Sequence, residues 1–352
     1  MTKKLRWTSA FALLLAFLTA GSLLAGKGGK NPPPADPPPP GTIYFDQSTG
    51  YPTRDTLGMN TDGSGKFAAL PAGVINEDQV SVCEPSKLLY GDKPMWLAVV
   101  DLAYPTVPFQ NELFAIRSNA DGTAIESVQV TNFDRGIRMD FQGARWSNDG
   151  QDTFVSFVGF SEAENLQLCL HRLNISGAEL DLAFEFPELW TPLGAVDAET
   201  VFCGDDLNSH HDWSPDGSEV AYLVGSDLRV WDTVTQADRL LASGSGIPRW
   251  SPDGTRIAFS GSISNRRKVK HGIVTIEPNG ANATLLIEGG SYNTPHWSPD
   301  GGFLAVSVWR IVQGGSDFTY DIARVKADGS GLTFLTDDLD PLAGKRLLGW
   351  RE

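Results

Sequence analysis

The sequence predicts an all-β chain folded as a six-bladed β-propeller, each blade a sheet of four antiparallel strands. Three observations predict it. A five-residue run, Trp-Ser-Pro-Asp-Gly, recurs at 213–217, 250–254 and 297–301, with the variant Trp-Ser-Asn-Asp-Gly at 146–150. Each copy leads into short β-rich stretches bounded by turn residues, which is the pattern of strands. Trp146, Trp213, Trp250, Trp297 and Trp350 stand 67, 37, 47 and 53 residues apart, and self-similarity near this period marks stacked or radial repeats.

Each unit reads as a strand ending in Trp, a four-residue turn, two apolar strands, a second turn and a last strand. The clearest unit runs through Pro248–Ser251, Arg256–Ser260, Gly272–Ile276, the turn Pro278–Gly280 and Ala283–Ile287. The next runs through His296-Trp297, Phe303–Val308, Asp321–Val325, the turn Asp328–Gly331 and Leu332–Leu335. Ser-Pro-Asp-Gly fits a type I β-turn. Proline presets φ at the second position, Asp suits the third, and Gly takes the left-handed conformation at the fourth. The turns are therefore assigned to Asp149 and Gly150, to Pro215, Asp216 and Gly217, to Pro252, Asp253 and Gly254, and to Pro299, Asp300 and Gly301. Ser251 is structural on the same ground: a nucleophile is needed once per site, and the chain has no G-x-S-x-G elbow. The tryptophans are the packing residues. A lone sheet cannot hide both faces, and one large aromatic per unit fills the gap between neighbouring sheets.

Upstream the motif degrades. Glu112–Ile116 with Asp121–Thr123 is the second half of a unit whose first half is Val80–Cys83 through Trp96–Val100, with Pro85–Lys87 in place of the Trp turn. Thr42–Phe45, Thr56–Met59 and Asp62–Gly65 supply only later strands of a unit. Leu347–Trp350 supplies the missing first strand, so the two ends of the chain complete one blade and the ring has no open edge.

The propeller is expected over 42–352. Before it, Lys3, Lys4 and Arg6 precede an apolar run from Phe11 to Leu24. This is the arrangement of a secretory signal peptide over 1–26, with an uncleaved anchor as the rival. Leu23–Gly26 is followed by Lys27 and not by cysteine, so no lipid anchor is expected. Residues 27–41 are a linker in which seven of the nine residues from Pro32 to Pro40 are proline. Such a run favours extended polyproline II and would span roughly 28 Å. Of Cys83, Cys169 and Cys203, one pair at most can bridge within the chain. Cys169 and Cys203 are the nearest in sequence, and an oxidising compartment would permit the bond. The formal charge of −15 argues against nucleic acid or an anionic membrane surface as partner.

Trp-Ser-Pro-Asp-Gly-x-x-Ile-Ala-Phe, followed by Asp-Gly-Ser-Gly and a Leu-Thr strand, resembles the WD40-like repeat of TolB-type β-propellers, over about 42–352. Leu228-Arg-Val-Trp-Asp232 with Thr235 also echoes the Trp-Asp dipeptide of WD repeats. TolB carries an α/β domain before its propeller, where this sequence has the leader and the proline linker, so a Pal-like partner is not carried over. The resemblance implies three roles: protein-binding platform, gate on a serine peptidase, or lyase with a metal in the central channel. The sequence after Trp350 leaves no room for a hydrolase domain.

A metal-dependent carbohydrate-active enzyme, similar to oligogalacturonate lyase, is the alternative reading. Its candidate ligands are His210, His211, Asp212 and His296, near one mouth of the channel, and Asp205, Asp206 and Asn208 would suit Ca²⁺ instead. Yet the residues just before each Trp read Arg145, Asp212, Arg249, His296 and Gly349, with no common ligand type. The leading expectation is therefore a monomeric, non-catalytic, cofactor-free scaffold that binds a protein partner in the bacterial cell envelope, periplasmic or secreted. Binding is expected on loops, because loops on a rigid frame carry function. The first candidate is the insertion Glu188–Asn208, with Phe186, Leu189, Trp190 and Phe202 as apolar contacts. The loops Ser262–His271, bearing Arg266, Arg267, Lys268 and Lys270, and Val312–Phe318 come next.

Overall fold

The computed structural model describes residues 39–50, 53–73, 75–76, 79–90, 93–103, 111–133, 137–139, 144–161, 167–265, 268–289, 292–311, 318–336 and 343–352. They belong to one compact unit, Pro38–Glu352. The leader, the linker up to residue 38, Arg266, Arg267 and residues 312–317 lie outside the described residues.

The architecture is an all-β propeller. Among the described residues the strands form five hydrogen-bonded sheets. One joins Lys345–Arg351, Thr42–Gly50, Thr53–Asn60 and Phe67–Ala68 in that order, with Ile75–Asn76 also on Thr53–Asn60. The next runs Val80–Tyr90, Lys93–Asp101, Asn111–Ser118, Ile125–Gln129. A third runs Arg145–Trp146, Val155–Ser161, Gln167–Leu173, Ala198–Cys203, with Ile137–Met139 also on Val155–Ser161. The fourth has seven strands from Leu207–Trp213 to Thr284–Glu288, and the fifth runs from Tyr292–Trp297 to Thr333–Phe334. In the seven-stranded sheet, the 13-residue strand Asp238–Trp250 pairs through Asp238–Ser243 with Asp227–Asp232 and through Gly244–Trp250 with Ile257–Asn265. The first and last described strands pair antiparallel, Ile43 opposite Trp350 and Gln47 opposite Lys345.

The repeated turn has the geometry its residues require. In the central copy the Gly254 N–H donates to the Ser251 carbonyl at 2.9 Å, and Gly254 has φ +71°. The Ser251 hydroxyl donates to Asp253 at 2.6 Å and accepts the Arg256 N–H at 3.0 Å. The flanking copies repeat the clamp. Ser214 donates to Asp216 at 2.7 Å and accepts the Glu219 N–H; Ser298 donates to Asp300 at 2.6 Å and accepts the Phe303 N–H. Asp216 also accepts the Ser218 N–H and Asp300 the Gly302 N–H, so both carboxylates serve the turn, as their position in the motif implies. Gly217 and Gly301 both stand at φ +70°. The 147–150 copy is two residues longer. Ser147 N–H reaches Phe154, seven residues on, where the other copies close at five, and Asp152 takes positive φ in the added stretch. The Asp152 carboxylate accepts the Lys87 and Leu88 N–H groups, supporting the sheet whose own Trp turn is lost.

Packing is between neighbouring sheets. Phe154, Val158 and Leu170 of the third sheet share a core cluster with Leu207, Trp213 and Val220 of the fourth. Leu223 and Val230 meet Trp250 and Phe259 within the seven-stranded sheet, Ile273 meets Trp297 and Leu304, and Ala305 and Ile322 meet Ile43 and Trp350. Tyr44 and Leu348 meet Val82 and Trp96, and Leu97 and Leu113 meet Trp146 and Phe157. Two indole N–H groups tie adjacent sheets further, Trp213 donating to Ser156 Oγ and Trp297 to the Arg249 carbonyl; that of Trp350 donates to the Pro40 carbonyl, just ahead of the strand Thr42–Gly50 in its own sheet.

Among the described residues one α-helix interrupts the strands, α1 (Gly177–Glu185), whose N-terminus is closed by a capping box between Ser176 and Glu179. It lies between the third and fourth strands of one sheet. The insertion therefore begins well before residue 188, and Ala198–Cys203 is that sheet's outermost strand, not part of a loop between units. Cys169 and Cys203 face each other on those two strands and form a disulfide; Cys83 is free and buried.

Candidate functional site

The first strands converge on a cavity of about 330 Å³ to which every sheet contributes. Glu84 and Lys87, Trp146, Asn148 to Gln151, Asp212, Arg249 and Trp250, His296 to Pro299, and Trp350 to Glu352 line it. This position follows from the repeat. Each repeat Trp packs in the core between neighbouring sheets while part of it, in four of the five, reaches the cavity wall, and the residues before three of them, Asp212, Arg249 and His296, alternate to the inner side of the strand.

Those inner residues form a charge network carried by groups far apart in sequence. Arg249 stands 3.3 Å from Asp212 and 3.6 Å from Glu84, and its other terminal nitrogen donates to His296 Nε2 at 3.2 Å. A guanidinium only donates, so Nε2 is the acceptor and His296 is neutral with its proton on Nδ1. Arg351 pairs with Glu84 at 2.6 Å and donates to the Pro85 carbonyl. Each acid also accepts a backbone N–H of a repeat tryptophan: Asp212 from Trp250 at 2.7 Å, Glu84 from Trp146 at 3.3 Å. The Lys87 ammonium donates to the Ser147 carbonyl and to Asn148.

Burial and charge shift these groups in opposite senses. Burial would raise Glu84, but Arg249, Arg351 and Arg145 together outweigh it and hold the carboxyl at about 2. Burial also raises Asp212, only partly opposed by Arg249. Burial, reinforced by Arg351, brings Lys87 down to about 8. Burial, with Arg249 beside it, brings Arg145 to about 10. His296 falls well below its ordinary value through burial and then through Arg249, Arg351 and Arg145.

The metal-ligand candidates are not brought together. His296 and Asp212 share the cavity, but Arg249 stands between them as partner of both. His211 points the other way, its Nε2 2.8 Å from Ser156 Oγ. His210 is held at about 4 by burial and then by Arg145 and Arg249, cationic surroundings that disfavour a metal ion. Asp205 and Asp206 are exposed in a turn, and Asn208 accepts the His210 N–H. Among the described residues, no group of three or more His, Cys, Asp or Glu side chains is arranged to hold a metal ion.

The insertion carries a second candidate surface, with a different cast of residues from that expected. Trp190 packs against the core between the second and third sheets and its indole N–H donates to the Gln129 carbonyl at 2.8 Å. Phe202 is buried, stacked on Trp231 with centroids 5.0 Å apart. Both hold the insertion down and neither is an exposed contact. Arg117 adds to the hold, pairing with Asp181 at 2.7 Å and lying over the Phe184 ring. The exposed apolar residues are Leu182 (56%), Phe186 (43%), Leu189 (79%) and Val196 (95%). Of these, Phe186 and Leu189 were legible as candidates. Of the basic loop, Lys268 and Lys270 are described, and Lys270 pairs with Glu288 at 2.7 Å. Among the described residues no helix is long and apolar enough to cross a membrane.

No protein-family model matches the sequence, and no curated protein matches it. Solved structures do. TolB from Acinetobacter baumannii superposes with a TM-score of 0.56 at 14% identity, covering 88% of this chain and 66% of that one. This chain thus spans just under two thirds of that protein. A protein assigned as TolB from Agrobacterium tumefaciens gives 0.51 at 15% identity, covering 87% of this chain and 98% of that one. Oligogalacturonate lyase from Vibrio parahaemolyticus gives 0.43 at 13% identity over 83% of this chain and 72% of that one, a likeness too slight to bear on chemistry. Similarity at these identities establishes architecture alone: the chain has the fold of a TolB-like β-propeller.

Proposed function

We propose that this chain is a non-catalytic scaffold, a closed six-bladed propeller acting outside the cytoplasm and binding a protein partner in the cell envelope. The observation that carries the reading is the insertion between Leu173 and Ala198. It is pinned by the Cys169–Cys203 disulfide, Trp190 and Arg117, yet it turns Leu182, Phe186, Leu189 and Val196 to solvent. Apolar side chains held out by a rigid support suit a protein interface, since little ordering entropy remains to be lost on binding. Six blades follow if the seven-stranded sheet is divided within Asp238–Trp250, where the register shifts between Ser245 and Arg249. The six core clusters, each spanning one neighbouring pair, support that count and the closure. The leader and the disulfide both suit an oxidising extracytoplasmic compartment.

The test is affinity capture from an envelope extract of the native source, followed by direct binding of the recovered protein. The wild-type chain is compared with Leu182→Ser/Leu189→Ser/Val196→Ser. These residues are exposed, so the variant keeps its fold. The triple variant is expected to lose the partner, and retention of an unchanged partner with unchanged affinity would remove the insertion from the proposal.

A further inference from the structure

We propose that a cleft around Ser245, Ser262 and His271 binds an uncharged saccharide, free or at the end of a glycan chain. The cleft has a volume of about 400 Å³, within the range of small-molecule sites. It lies apart from the central cavity. Ser245 pairs with Ser260 and Trp250 with Ile257 at opposite ends of the same two strands, so the cleft sits at the strand ends remote from the Trp turn. Five serines line it: Ser226, Ser243, Ser245, Ser260 and Ser262. The serine of a repeated turn spends its hydroxyl on that turn, as Ser251 does. In the cleft Ser260 donates to the Tyr292 carbonyl at 3.2 Å, while the hydroxyls of the other four bond to no described residue. Ser226, Ser243 and Ser245 are exposed and Ser262 is half-buried. Each hydroxyl can donate and accept at once, which is the capacity that sugar hydroxyls match.

Charge and shape narrow the ligand class. Among the described residues no Asp, Glu, Lys or Arg and no aliphatic side chain lines the cleft. Of the charged residues next to the lining in sequence, Lys270 and Glu288 pair with each other at 2.7 Å, and Asp227 leaves a negative charge that disfavours an anion. Gly244, Gly261 and Gly272 stand opposite one another on three adjacent strands. Part of the wall is therefore bare backbone that a ligand can approach closely. A side chain at Gly244 or Gly261 would strike the Phe259 ring, and one at Gly272 the Ile287 carbonyl, so the local packing keeps the wall bare. The Tyr292 ring, in the lining, lies against Gly289 and offers a flat surface to the C–H face of a sugar. Asn293 is fixed beside it: the Thr294 hydroxyl donates to its Oδ1 at 2.8 Å, which leaves the amide N–H groups to donate. Thr294 itself stands at φ +45° immediately before Pro295, a strained conformation for a β-branched residue and of the kind that gathers at binding sites. The proposal does not depend on the scaffold reading, which concerns the insertion.

The experiment titrates the wild-type chain, isotopically labelled at histidine, with glucose, mannose, N-acetylglucosamine, maltotriose and cellotriose at fixed pH. Ethylene glycol and trigalacturonate are the controls, the first for hydroxyls alone and the second for charge. His271 lines the cleft and is exposed, and His271→Gln assigns its ring signal. That signal is expected to shift saturably with at least one neutral sugar, while His296, buried in the central cavity, stays in place. Comparing the monosaccharides with the trisaccharides tells a free sugar from a chain end. Ser243→Ala/Ser245→Ala/Ser262→Ala is expected to melt as the wild type does and to bind at least about tenfold more weakly, through loss of three hydroxyls. The wild-type titration stands without the variant. No saturable His271 shift into the tens of millimolar, the same shift with ethylene glycol, trigalacturonate binding as tightly as the neutral sugars, or unchanged affinity in the folded triple variant would overturn the proposal.

Discussion

The hydroxyl of Ser251 donates to Asp253 and accepts from the Arg256 N–H, so both its proton and a lone pair are spent on the turn. Ser251→Ala is therefore expected to cost about 1 kcal/mol of stability, measured by urea unfolding, and to leave partner binding unchanged. This role was legible, because four copies of one motif cannot each be an active site. The cavity network was not. Arg249 and Glu84 are 165 positions apart, and the residues preceding the tryptophans differ in type from copy to copy, so no spacing announces that they meet. The histidines give a second prediction. His171 and His210 sit at about 4 and His296 well below 6.5, burial being the first cause in each. Their folded values lie below the unfolded value, so the unfolded chain takes up protons first as pH falls. Stability is then full above about pH 6.5 and declines toward pH 4, by at most about 1.4 kcal/mol per pH unit for each histidine. Urea midpoints measured across that range should show the decline, and His296→Gln should flatten it.

At the scale of the element, the insertion is the departure from the repeat. Helix α1 has its start written in Ser176-x-x-Glu179, a capping box. It is short, though, and stands where the repeat calls for a last strand, so the β pattern around it hides it. Large aromatics in a loop, such as Trp190 and Phe202, invite a reading as surface contacts. What they touch lies on other strands, Gln129 and Trp231, which only the fold brings near. The disulfide joins the third and fourth strands of the sheet around this insertion, its ends 34 positions apart in sequence. Cys169→Ser/Cys203→Ser should lower stability by about 2–4 kcal/mol. The loss should exceed that of Cys83→Ala, measured by the same unfolding experiment, because Cys83 closes no loop.

For the whole molecule, the Trp-turn spacing made the propeller architecture legible, while the blade count rests on how a 13-residue strand is divided. The pairing of Lys345–Arg351 with Thr42–Gly50 is the contact between the two ends of the described chain. It is reinforced by Arg346 on Asp46 at 2.6 Å and by Trp350 buried against Phe303. Removing residues 345–352 should abolish the single cooperative melting transition in calorimetry, since it bares a strand edge and empties the Trp350 gap together. The same pairing has a consequence for biosynthesis. A ribosome must translate some three hundred codons after Thr42 before that strand can meet its complement. Until then the nascent polypeptide carries an unsatisfied ladder that invites strands from other molecules, and a holding chaperone would be most useful during that interval.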